Sequence, residues 1–95
     1  MSSPAPLILL VEDEPQMRRF LRVALEGGGY RYLEATTGQE GLAMAVQHRP
    51  EVILLDLGLP DLDGLEVMRR LREWSRIPVI VLSARGQETD RKSVV

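Results

Sequence analysis

Three short, unbroken apolar runs restrict this chain more than any other feature. Leu-Ile-Leu-Leu-Val at residues 7–11, Val-Ile-Leu-Leu at 52–55 and Val-Ile-Val-Leu at 79–82 are apolar at every position. A strand with one wet face alternates polar and apolar residues, whereas a continuous apolar run suits a strand covered on both faces. Between the runs, apolar residues recur mostly at spacings of three and four, the period of a helix with one buried face. Pro15 suits the first turn of such a helix, where its missing N–H costs nothing. Met17, Phe20, Leu21, Ala24 and Leu25 mark that helix's buried face, and the glycines at 27–29 end it. Tyr30 to Ala35 reads as a second strand, less apolar and nearer an edge. Thr36, Thr37 and Gly38 turn the chain into a second helix carrying Leu42, Ala43 and Val46, which Arg49-Pro50 closes. A loop bounded by Pro60 and Gly64 leads to a third helix with Leu65, Met68, Leu71 and Trp74 inward. Pro78 precedes the last apolar run, and residues 86–95 read as the start of a further helix.

Strand and helix therefore alternate through short connections, which implies parallel strands joined by right-handed crossovers and an α/β fold. Ninety-five residues suit one domain. We expect a tail over residues 1–6 and a folded unit over 7–95. In open parallel sheets, ligands collect beyond the carboxyl ends of the strands where strand order reverses. Glu12, Asp13, Asp56 and Ser83 all fall at such ends.

Composition removes several alternatives. Twelve Lys and Arg stand against 14 Asp and Glu, a formal charge of -2, which is a poor basis for grasping a nucleic-acid backbone. Absence of cysteine excludes disulfides and thiolate metal sites, and a single histidine excludes a multi-histidine site within the chain. No run approaches the ~20 apolar residues that span a bilayer. The start carries no positive charge before its short apolar run, so a secretory signal is not expected and cytoplasmic localisation is. The three consecutive glycines follow a helix and lack the lysine of a phosphate-binding loop.

The acidic residues carry the chemistry. Carboxylates gathered at adjacent strand ends repel one another unless a cation joins them. Mg2+ suits such a place because it prefers oxygen ligands and keeps several waters. We expect Asp13 and Asp56 as direct ligands, a backbone carbonyl such as that of Gly58 as another, and Glu12 acting through water. An Asp56 oxygen can also attack an activated phosphoryl group and form an acyl phosphate; Ser83 can then bond to a phosphoryl oxygen. Taken singly, each acidic cluster reads equally as loop residues or helix caps. Asp61 and Asp63 read as turn formers in Pro60-Asp61 and Asp63-Gly64, Asp63 also as a cap of the third helix. His48 reads as a helix-end residue, Trp74 as packing, and Arg69, Arg70 and Arg72 as solvated flanks of a buried stripe.

The segments LILLVEDE, VILLDLGLPDLDGLE and IPVIVLSAR, in that order, resemble the receiver domain of a bacterial two-component response regulator. They are most similar to receivers of the winged-helix transcription-factor class, including the type that governs high-affinity potassium transport. The resemblance implies a doubly wound, flavodoxin-like parallel sheet of order 2-1-3-4-5. It assigns Glu12 and Asp13 to an acidic Mg2+ pocket, Asp56 to the phosphoacceptor, Gly58 to the metal-binding carbonyl and Ser83 to the switch hydroxyl. It implies a sensor histidine kinase as phosphoryl donor, a role that is not itself enzymatic, and contact with DNA only through a separate effector domain.

Against the family pattern, the chain reads as C-terminally truncated: sheet order 2-1-3-4, with the fifth strand, the fifth helix and the lysine of the fifth strand absent. Lys92 falls in the expected fourth-helix region and is no substitute. On this reading Mg2+ binding persists, phosphorylation is weak or absent, and the chain either self-associates through an exposed sheet edge or exchanges elements with a neighbour. A competing reading is a non-catalytic interaction module with the receiver fold. An aspartyl-phosphate hydrolase would need a general acid–base and a substrate lid for which the chain has no room.

Overall fold

A computed structural model describes residues 4–82. Strands β1 (Leu7–Val11), β2 (Arg31–Ala35), β3 (Val52–Asp56) and β4 (Val79–Leu82) alternate with helices α1 (Pro15–Gly27), α2 (Gly38–His48) and α3 (Gly64–Arg72). All strand pairs are parallel, in the order β2-β1-β3-β4. The two central strands carry two of the three continuous apolar runs, and Leu9, Leu10 and Leu55 are fully buried within them. Each such side chain contributes about 1.5–3 kcal/mol on leaving water.

Because side chains alternate along a strand, the sheet supplies two cores. Leu9, Val11, Ile53 and Leu55 meet Ala45 of α2 and Val67 and Leu71 of α3 on one face. Ile8, Leu10 and Leu54 meet Leu21 and Leu25 of α1 on the other. Helices on both faces make the sheet doubly wound, as expected.

The phases of the helices differ from the sequence reading. No residue of α1 is fully buried; the i,i+4 pair Leu21 and Leu25 packs on the sheet and Met17 is half-buried, while Ala24 is exposed and Phe20 is 67% exposed. In α2 the inward residues are Gly38, Gly41 and Ala45, with Leu42 half-buried and Ala43 and Val46 exposed. In α3 they are Gly64, Val67 and Leu71; Met68 is half-buried, Leu65 is exposed, and Trp74 lies exposed beyond the helix end. Small residues let a helix axis approach the sheet, so in α2 Gly and Ala, which carry little weight in an apolar count, hold the inward positions.

The helix ends follow their local chemistry. Pro15 opens α1, and the Glu14 side chain accepts from the Met17 N–H at 3.2 Å. Thr37 caps α2 by accepting from the Glu40 N–H at 3.0 Å, and α2 closes at Arg49 with φ of 49° before Pro50. Asp63 caps α3 through the Leu65 N–H at 3.1 Å, as its position before Gly64 predicts. Arg69 and Arg70 are not simply solvated: both pair with Glu66, and Arg69 also reaches Glu73. These arginines hold the Glu66 carboxyl down, from its ordinary 4.5 to about 2. The expectations for Ser83, Lys92 and the helix over residues 86–95 lie outside the described residues.

Candidate metal centre

β1 and β3 are parallel neighbours paired through Val11 and Leu55, so the residues that follow each pair member emerge side by side. Glu12 and Asp13 leave β1, and Asp56 is the last residue of β3. One oxygen from each of these three carboxylates lies within 4.8 Å of the others. Glu12 is 3% exposed and Asp56 2%, whereas Asp13 is half-buried. The backbone ladder runs on past both strand ends: the Glu12 N–H donates to the Ala35 carbonyl at 3.0 Å and the Leu57 N–H to the Leu82 carbonyl at 3.4 Å. The acids are thus carried on paired backbone, not on a loose loop.

Local bonds fix the carboxylates. Glu12 Oε2 accepts from the Glu14 N–H at 3.0 Å, and Asp56 Oδ1 accepts from the Gly58 N–H at 3.2 Å. Arg18 Nη1 donates to the carbonyl oxygens of Asp13 at 3.1 Å and Glu12 at 3.4 Å, clasping the turn after β1. Arg18 also lies 3.5 Å from Glu34, which Arg22 engages through two bonds of 2.7 and 3.1 Å. The Arg22 bond outweighs burial and holds the Glu34 carboxyl below its usual range. No sequence signal pointed to Arg18, because its partners at the turn are main-chain oxygens.

Removing charged carboxylates from water costs several kcal/mol per ion unless they are compensated. An oxygen-only donor set of this charge suits a hard divalent cation. With metal–oxygen distances of about 2.0–2.1 Å in octahedral Mg2+, oxygens on opposite sides lie about 4.2 Å apart. A cluster whose oxygens already fall within 4.8 Å therefore fits the ion with little rearrangement. Half-buried Asp13 and exposed Gly58 leave one side toward solvent, where the waters that Mg2+ retains would sit.

The structure brings together Glu12, Asp13 and Asp56, with Gly58 bonded to the last. Asp63 stands apart as the cap of α3. Asp61 has a role that its turn dipeptide did not reveal. Its carboxylate crosses to the first turn of α2, accepting from the N–H groups of Gly38 at 2.7 Å and Gln39 at 2.9 Å.

The family model for the response regulator receiver domain matches residues 8–95. The KDP operon transcriptional regulatory protein KdpE of Escherichia coli is 60% identical over 84 residues, 88% of this chain and 37% of that protein. The transcriptional regulatory protein SrrA of Staphylococcus aureus is 44% identical over 88% of this chain and 35% of its own length. The chain thus spans little more than a third of these relatives. Among solved structures, the receiver domain of the sensor histidine kinase PA1611 of Pseudomonas aeruginosa, with a magnesium ion coordinated in its active-site cleft, superposes with a TM-score of 0.83. It is 34% identical, over 93% of this chain and 75% of that one. The chemotaxis response regulator CheY4 of Vibrio cholerae gives a TM-score of 0.80 at 27% identity, over 93% of this chain and 77% of that one. A doubly wound sheet of order 2-1-3-4, a receiver-domain family model matched over residues 8–95 and a relative 60% identical over 88% of the chain make this chain a receiver domain of the two-component response regulator family.

Proposed function

We propose that Asp56 is the phosphoacceptor and that Glu12, Asp13, Asp56 and the carbonyl of Gly58 hold Mg2+ beside it. The observation that carries this reading is the approach of the three carboxylates to within 4.8 Å on two paired strand ends. Asp13 and Asp56 would be the direct ligands, and nearly buried Glu12 would act through water. When bound, Mg2+ neutralises charge on the phosphoryl oxygens, which otherwise meet a negative pocket. The Asp56 carboxylate attacks phosphorus, forming a P–O bond as the donor's bond to phosphorus breaks. With a phosphohistidine of a sensor histidine kinase as donor, the P–N bond breaks and the imidazole leaves with the electron pair. We assign the Ser83 hydroxyl to a phosphoryl oxygen in the loaded state.

The chain is a relay partner on this reading, not an enzyme acting on a metabolite. DNA is reached only through an effector domain elsewhere in a longer protein: the relatives named above are transcriptional regulatory proteins, and this segment carries a net charge of -2. No helix among the described residues is long and apolar enough to cross a membrane, and we place the domain in the cytoplasm with its kinase's phosphodonor site. A non-catalytic interaction module is the competing reading; Mg2+ binding without phosphoryl transfer to Asp56 would favour it.

Calorimetric titration with Mg2+ tests the metal centre. We expect one site, weakened more than about tenfold by Asp13→Asn or Asp56→Asn, since even groups behind metal ligands cost 10–100-fold when removed. Absence of binding by the unaltered chain, or variants that bind like it, would sink the assignment.

A further inference from the structure

Between the end of β3 and the start of α3 the chain makes a closed loop that carries Gly58. The loop is tied at its base, where the Gly64 N–H donates to the Leu57 carbonyl at 3.1 Å. Its far side is tied to another element altogether. Asp61 Oδ1 accepts from the Gly38 N–H at 2.7 Å and from its neighbour Leu62 N–H at 2.9 Å, while Oδ2 accepts from the Gln39 N–H at 2.9 Å. Gly38 and Gln39 are the first two residues of α2, so their N–H groups have no acceptor within their own helix. Thr37 serves the third residue, Glu40. A side chain 23 positions away in sequence thus completes the N-terminus of α2.

The packing around these bonds is tight. A Cβ on Gly38 would stand 2.8 Å from Val67 Cγ2, 3.0 Å from Leu62 Cβ and 3.3 Å from Asp61 Oδ1. Only glycine lets α2 approach the loop this closely. The positive end of the helix dipole also favours a carboxylate there over a neutral group. Burial pulls the Asp61 carboxyl upward, but the Gln39, Gly38 and Leu62 N–H groups outweigh it and hold the group below its ordinary range.

We infer that Asp61 is a positioning residue for the metal centre: by clamping the β3–α3 loop to the N-terminus of α2, it holds Gly58 and Asp56 in their metal-binding arrangement. The inference rests on the Mg2+ reading of Asp56 and Gly58. Asp61 does not itself reach the metal; it limits the loop to one shape, as groups behind metal ligands do.

The test compares Asp61→Ala with Thr37→Ala in the whole chain. Both variants remove a cap from the same helix, but only the first releases the loop. We expect Asp61→Ala to weaken Mg2+ binding by about tenfold or more and to speed amide exchange at Gly58 and Gly64. Thr37→Ala should change Mg2+ affinity by less than about twofold and leave those amides protected, its bond lying outside the loop. Asp61→Asn, which keeps the shape and one acceptor oxygen, should show a smaller loss in the same direction and serves if the alanine variant does not fold. Unchanged Mg2+ affinity in the Asp61 variants would overturn the inference while leaving the metal centre standing. Equal losses in the Asp61 and Thr37 variants would also overturn it, assigning the effect to helix stability alone. A parent chain that binds no Mg2+ would overturn the metal reading and this inference with it.

Discussion

Gly64 sits where β3, the loop that follows it and α3 meet, and the space there is smaller than a methyl group. A Cβ at this position would fall 2.6 Å from Leu57 Cα and 3.0 Å from the Asp56 carbonyl oxygen. Both are main-chain atoms and cannot swing aside as the end of a long side chain would. Gly64→Ala should therefore displace the backbone that carries Asp56 and lower the unfolding free energy by about 1–3 kcal/mol, the usual cost of overpacking. Gly27→Ala is the matched control, because nothing lies within 4 Å of its added Cβ; it should be neutral or slightly stabilising. Urea unfolding of both variants checks the contrast, and a Gly64→Ala chain as stable as its parent would contradict the packing argument. The sequence revealed Gly64 only as the end of a turn, since Asp63-Gly64 is an ordinary turn dipeptide. That Leu57 closes over it is a tertiary fact no local pattern contains. Asp61 is the same lesson in polar form: its partners Gly38 and Gln39 lie in another element.

Strands were more legible than helix faces. Continuous apolar runs placed β1, β3 and β4; β1 and β3 lie between two helix layers, whereas Ile80 and Val81 of β4 are exposed among the described residues. Period alone did not set the phase of α2, where Gly41 and Ala45 face the sheet and Val46 is 56% exposed. An inward position next to a sheet rewards small size as much as hydrophobicity. α1 and β4 also leave apolar surface outward among the described residues. Phe20 is 67% exposed and Ile80 54%. A trough of about 430 Å³ on the α1 side of the sheet is lined by Ile8, Leu25, Tyr30, Val52, Leu54 and Ile80, among others.

For the molecule as a whole, topology turns scattered acids into one site. Glu12 and Asp56 are far apart in sequence, yet parallel pairing of β1 with β3 places both at one end of the sheet. This is why the site could be read from sequence: once strands alternate with helices, functional residues are sought at strand carboxyl ends, and the acids stand there. The bonds that stiffen the site, from Arg18 to the turn after β1 and from Asp61 to α2, were not legible, because main-chain partners leave no trace in residue types. The central claim is that this acidic end of the sheet accepts a phosphoryl group on Asp56 with the help of Mg2+. Its most direct test is the intact mass of the chain after incubation with Mg2+ and a small acyl-phosphate donor. Reading the chain as truncated expects little or no loading; because the three carboxylates stand together, we expect instead the gain of one phosphoryl group, lost on chelating Mg2+ and lost in Asp56→Ala. An unchanged mass in a folded, Mg2+-binding chain, or a gain that survives Asp56→Ala, would contradict it.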